Sequence, residues 1–251
     1  MKNLVVFKSA SDEVCQDEIV QKYRDNGISA TLITPLVFTF KNLSEWGAIL
    51  RADKGDVEGI IFTSPRSVEA SLEALQDENV HPSWHSAHNY CVGPTTGSLA
   101  SIKLQLKCQG EESGNAEALS DQILKDMTKL GKTKGTFLFP CGNLKLGILE
   151  RRLQECGFTV KPIEIYETTC NSKLEEEIRK KFPENAEFLI FYSPSCFAFS
   201  LPVFRKLGVE LLKYKFLAIG PSTKKAIEEE GIEVFRTCEK PTFDYVLEAM
   251  S

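Results

Sequence analysis

Ile60-Ile61-Phe62-Thr63-Ser64-Pro65 and Leu189-Ile190-Phe191-Tyr192-Ser193-Pro194 are two copies of one pattern. In each, an apolar run suited to a strand buried on both faces leads into a hydroxyl residue and then a proline, which fits the first turn of a helix. Val92-Gly93-Pro94-Thr95-Thr96 is matched by Ile219-Gly220-Pro221-Ser222-Thr223, and Gly27-Ile28-Ser29-Ala30 by Gly157-Phe158-Thr159-Val160, all at offsets of about 127 to 130 residues. Three matches in one order read as a duplicated unit. The repeat leaves open whether each half folds on itself or exchanges elements with the other.

Working outward, short apolar runs recur at 4–7, 30–33, 90–92, 137–139 and 216–219. Helical patterns are expected over about 12–26, 67–75, 116–130, 144–156, 173–182, 223–230 and 242–250. Strands alternating with helices imply parallel sheets covered on both faces, so the fold class is α/β.

The chain has 251 residues, 42% hydrophobic and 26% charged, which is enough apolar material for two ordinary domains and excludes wholesale disorder. No apolar run approaches the ~18–20 residues that span a bilayer, and Met1–Ser9 carries too short an apolar core for a signal peptide. A soluble, cytosolic protein is therefore expected. A net charge of -5 argues against a broadly basic nucleic-acid or membrane binder. The eight cysteines stand singly, without C-x-x-C, and read as reduced thiols. His81, His85 and His88 share one stretch between a helix and a strand, where a solvated loop is the plainer reading than a metal site.

Chemistry is expected where the repeated motifs lie, because open parallel sheets bind ligands beyond the carboxyl ends of their strands. Ser64 and Ser193 are placed to cap helices opened by Pro65 and Pro194, and Pro94 and Pro221 repeat the arrangement after glycines. Four helix N-termini offer N–H groups and positive dipole ends, so an acidic chain can hold carboxylates or phosphates locally. Plain capping is the competing reading. There is no phosphate-binding G-x-x-x-x-G-K-[ST] and no dinucleotide G-x-G-x-x-G, so nucleotide hydrolysis and nicotinamide or flavin redox chemistry lose their main support.

Gly59 to Ala70, Phe139-Pro140-Cys141-Gly142-Asn143-Leu144-Lys145 and Ala218 to Thr223 together resemble uroporphyrinogen-III synthases of the eukaryotic type. The likeness continues through Ser113 to Glu117, Ile165-Tyr166-Glu167-Thr168 and Pro241-Thr242, and covers essentially the whole chain. It implies an enzyme that closes linear hydroxymethylbilane into uroporphyrinogen III, inverting ring D and releasing water, without metal or organic cofactor. It also implies two flavodoxin-like parallel-sheet domains joined by two linker strands: residues 1–35 plus 171–251 form one, 36–170 the other, and the substrate lies in the cleft between them. The expected partner is the bilane, with no nucleic acid or membrane, and the chain is expected to act as a monomer. A non-catalytic two-domain binding or sensor protein is the alternative, and a pair of redox domains a further one.

Carried over residue by residue, the resemblance implies that Thr63, Ser64, Arg66, Thr96, Ser193, Ser222 and Thr223 bind substrate. Tyr166 is the implied hydroxyl near the leaving water, against the simpler reading of a packing tyrosine. One departure is Leu146, where relatives often carry Arg, and Lys145 beside it does not obviously replace that anion contact.

Overall fold

A computed structural model describes residues 2–9, 13–144 and 147–251. Eight strand pairs of its two sheets are parallel. In chain order, β1 (Lys2–Phe7), α1 (Glu13–Asp25) and β2 (Ile28–Ile33) are followed by β3 (Leu36–Phe40), α2 (Leu43–Arg51) and β4 (Val57–Phe62). Next come α3 (Pro65–Leu75), β5 (Asn89–Cys91), α4 (Pro94–Leu104), β6 (Cys108–Gln109), α5 (Ala116–Lys129), β7 (Gly135–Gly142) and α6 (Ile148–Glu155). The long β8 (Phe158–Cys170) leads into α7 (Leu174–Lys181), β9 (Phe188–Phe191), α8 (Pro194–Leu207), β10 (Lys215–Ile219), α9 (Gly220–Glu228), β11 (Val234–Cys238) and α10 (Phe243–Ala249).

The chain divides into two compact units, Met1–Phe38 with Thr169–Ser251, and Thr39–Thr168. The first unit's sheet runs β11-β10-β9-β1-β2, the flavodoxin-like order when its strands are counted along the chain. In the other sheet, β3-β8-β7-β4-β5-β6, the repeat maps β4 onto β9, β5 onto β10 and β8 onto β2. With those matches the two orders coincide, so the second unit is the same sheet entered at a different strand. Both changeovers between units fall inside strands that pair with each other, β3 and β8.

The apolar runs are continuous because both faces of each sheet are covered. In β1, Val5 and Phe7 pack into one core cluster and Leu4 and Val6 into another; in β4, Ile60 and Phe62 separate from Ile61 in the same way. Across the first sheet Phe7 stacks on Phe191 at 4.5 Å between ring centroids, and Phe191 on Phe216 at 5.9 Å. Each such side chain, fully buried, contributes about 1.5–3 kcal/mol.

The histidine stretch forms a short 3-10 helix, Pro82–Ser86, anchored by buried Trp84, and the side chain of His81 accepts from the Ser83 N–H. Asn89 follows it, 1% exposed, with Oδ1 accepting from Ile60 N–H at 3.0 Å and Nδ2 donating to the Trp84 carbonyl at 2.8 Å. This one side chain ties β4 to the entry of β5. Asn89→Ala leaves both buried groups without it, so it should destabilise by about 1–3 kcal/mol. Urea denaturation checks this as a lowered midpoint, and an unchanged midpoint would mean that water replaces the amide without penalty.

Candidate functional site

A cavity of about 250 Å³ opens in the second unit at the carboxyl ends of β4, β7 and β8. It is lined by Thr63 and Ser64 beyond β4, by Phe139, Cys141 and Gly142 of β7, and by Tyr166 and Thr168 of β8. In this sheet the chain runs from β4 outward through β5 and β6, and from β7 the other way into β8, so the cavity lies at the point where the strand order reverses. That is where open α/β sheets bind ligands.

Three helices start at the cavity, and two of them bring a side-chain acceptor. The Ser64 side chain accepts from Arg66 N–H at 3.2 Å at the head of α3. Asn115 Oδ1 accepts from Ala118 N–H at 2.9 Å at the head of α5, whose first residue, Ala116, lines the cavity. Gly147, in a left-handed conformation that favours glycine, opens α6, and Ile148, Leu149 and Glu150 line the cavity from its first turn.

Tyr166 is aimed by an irregularity in the sheet. Cys141 pairs with Glu164 but Gly142 pairs with Tyr166, so β8 holds one extra residue there. Ile165 stays in the core at 0% exposure, and Tyr166 turns toward Gly142 and the cavity. The Ser64 side chain and the Gly142 backbone are among the groups that act on its hydroxyl, each favouring the charged form. Burial is the largest influence on the phenol and raises its pKa above the ordinary 10.0, while Ser64 and the Arg66 charge pull the other way. The group is therefore a neutral donor at physiological pH. Asn143 fixes the strand beyond it, its amide receiving Thr168 N–H at 2.9 Å and donating to the Thr168 carbonyl at 3.2 Å.

Of the residues singled out from sequence, Thr63, Ser64 and Tyr166 thus meet at one cavity. Arg66 lies in the first turn of α3, within the electrostatic reach of Tyr166, and its Nη1 is 2.5 Å from Glu69 Oε2. Thr96 in α4 is 2% exposed and Thr223 in α9 is 1% exposed, so neither hydroxyl is free at the surface. Ser193 caps α8 in the first unit, accepting from Cys196 N–H at 3.2 Å, and Ser222 is exposed. The two glycine starts differ from the serine ones: neither α4 nor α9 has a side-chain cap, and α9 begins at Gly220 itself, one residue before the proline. Lys145 and Leu146 lie outside the described residues. Gly142, Asn143, Thr168 and Glu150 were not among the predicted site residues; the Cys141-Gly142-Asn143 run was the available signal for two of them.

Among the described residues no three His, Cys, Asp or Glu side chains gather where they could hold a metal ion, and no helix is long and apolar enough to cross a membrane. The seven cysteines whose side chains are described are free thiols.

Residues 17–248 match the family model for uroporphyrinogen-III synthase HemD. The uroporphyrinogen-III synthase of Chlorobaculum parvum is 27% identical over 226 residues, covering 86% of this chain and 85% of that protein. Two solved structures share the fold: uroporphyrinogen-III synthetase from Helicobacter pylori (TM-score 0.66, 19% identity, covering 100% of this chain and 98% of that one) and a mutant uroporphyrinogen III synthase from Thermus thermophilus (TM-score 0.66, 17% identity, covering 100% and 97%).

A Cβ on Gly142 would lie 2.7 Å from Tyr166 Cζ and closer still to Cε2, so Gly142→Ala should push the ring out of its half-buried seat. The displaced phenol regains water, and its pKa should fall back toward 10.0. Ultraviolet titration against a Tyr166→Phe background measures this. An unchanged titration would mean that the β7 backbone moves instead of the ring.

Proposed function

The chain belongs to the uroporphyrinogen-III synthase family, and from that premise we propose how its own residues carry out the reaction. It is a cyclising lyase of tetrapyrrole and heme synthesis, converting hydroxymethylbilane to uroporphyrinogen III with reversal of ring D and loss of water. Membership of an enzyme family displaces the alternative of a non-catalytic sensor.

The observation that carries the site assignment is the Tyr166 phenol, kept protonated and lining with Ser64 a cavity built from strand ends and helix starts. In our reading it donates to the hydroxyl leaving from the ring A hydroxymethyl group, so that water departs and an electrophilic azafulvene remains. Ring D attacks that carbon through its substituted position, and the resulting spiro intermediate opens and recloses with ring D reversed. The pyrroles supply the reactivity. The protein's part is to fold the bilane into this contact in place of the direct closure and to stabilise the charge that develops.

At about 250 Å³ the cavity is smaller than the ~300–1,000 Å³ typical for a drug-sized ligand, which suits one pyrrole of the bilane rather than the whole chain. The carboxylates need other holds. Thr63, Ser64 and Arg66 surround the reacting ring in this reading, and Thr96, Ser193, Ser222 and Thr223 mark helix starts that receive carboxylates. The glycine-started α4 and α9, whose N-termini no side chain caps, are best suited to that task. Ser193, Ser222 and Thr223 belong to the first unit, so we propose a substrate held by both units, in a monomer working in the cytosol without cofactor. The relatives compared are bacterial, and the eukaryotic-type affinity rests on the sequence motifs alone.

Tyr166→Phe should lower turnover by about 10- to 1000-fold, the range for one positioned donor, with the fold intact by circular dichroism. Full turnover would return Tyr166 to a packing role. A product analogue should also protect 63–67 and 220–224 from hydrogen exchange together, and protection of one segment alone would confine binding to a single unit.

A further inference from the structure

Glu150 has no part in the scheme above. It is 9% exposed, and it is the one ionisable carboxylate or cationic residue among the described residues lining the cavity; the other linings are apolar, glycine, hydroxyl or thiol. A carboxylate there is a poor neighbour for the eight carboxylates of the bilane. It is a good neighbour for the species formed when water leaves, because ionisation of the hydroxymethyl carbon spreads positive charge over the ring A pyrrole and its nitrogen. Because Glu150 is itself 9% exposed, that attraction is screened less than it would be in solution.

We propose that Glu150 is a further catalytic residue, whose carboxylate stabilises the cationic azafulvene while Tyr166 protonates the departing hydroxyl. The division of labour balances: the C–O bond breaks with its electron pair going to oxygen, the Tyr166 proton completes the water, and the charge left on the pyrrole faces Glu150. The proposal rests on the reading of this cavity as the reaction site.

A structural role competes with it. Glu150 is the third residue of α6, where a glutamate favours the helix N-terminus through its charge and can reach back toward the capping residue, Gly147. Glutamine can make the same reach to the backbone, so Glu150→Gln keeps that contact, and melting temperature reads what the helix start loses with the charge.

The test compares kcat and KM for hydroxymethylbilane in Glu150→Gln, Glu150→Asp and Tyr166→Phe, with melting temperatures to confirm that each is folded. Glu150→Gln should lower kcat by about 10- to 100-fold with KM unchanged or reduced, and Glu150→Asp, which keeps the charge, should retain more turnover than Glu150→Gln. A Glu150→Gln enzyme with wild-type kcat, or with raised kcat/KM because a competing anion has gone, overturns the proposal while Tyr166→Phe remains impaired. If Tyr166→Phe is also fully active, the cavity is not the reaction site and the proposal falls with that reading.

Discussion

The pairing of β7 with β8 is the constraint on which the candidate site depends. A regular ladder would send Ile165 and Tyr166 to opposite faces of the sheet. The extra residue opposite Cys141 and Gly142 breaks that alternation, so Ile165 fills the core and Tyr166 also packs toward it while its ring edge reaches the cavity. Two further features make the irregularity tolerable. Gly142 has no side chain to obstruct the ring, and Asn143 supplies the Thr168 backbone with an amide donor and acceptor where the ladder ends. Together the three set the half-buried phenol beside Ser64 in the cavity wall.

Parallel pairing accounts for the rest of the arrangement. Each crossover returns a helix to the same end of the sheet, so strand ends and helix starts gather on one edge in each unit. This lets a chain of net charge -5 handle an anionic substrate, since the positive ends of helices act over a few ångströms and need no basic surface. The helix starts are of two kinds. Those of α3 and α5 are capped by Ser64 and Asn115, whereas those of α4, α6 and α9 open on glycine without a side-chain cap, α6 carrying Glu150 in its first turn.

Much of this was legible in the sequence, for physical reasons that differ by element. Strands such as β4 and β9 are covered on both faces and therefore read as unbroken apolar runs. β8 alternates buried and exposed positions, β11 carries Arg236 and Thr237, and β3 is a short crossing strand, so none of the three announced itself in that way. α2 was missed because it opens from Asn42 in a left-handed conformation and contains Gly47. At the site, Ser64 and Tyr166 stood in recognisable motifs. The need for glycine at 142 arises only from the shifted register of a strand far away in sequence, and Glu150 sits in Leu-Glu-Arg-Arg, which reads as an ordinary solvated helix turn.

The sheet order of the first unit also sets a schedule for synthesis. β1 lies in the middle of that sheet, between β2 and β9, yet β9 begins at Phe188 and the whole second unit is translated first. At ~5–20 residues per second the ribosome takes roughly 8–30 s to travel from Ile33 to Phe188. During that interval Leu4, Val5, Val6 and Phe7, all 0% exposed in the finished protein, form a strand with one edge open, while β4 to β8 can already pair among themselves. An unpaired apolar edge is a template for wrong partners. Nascent chains stalled in this window would carry a completed insert beside a bare first strand, the form on which a chaperone would act.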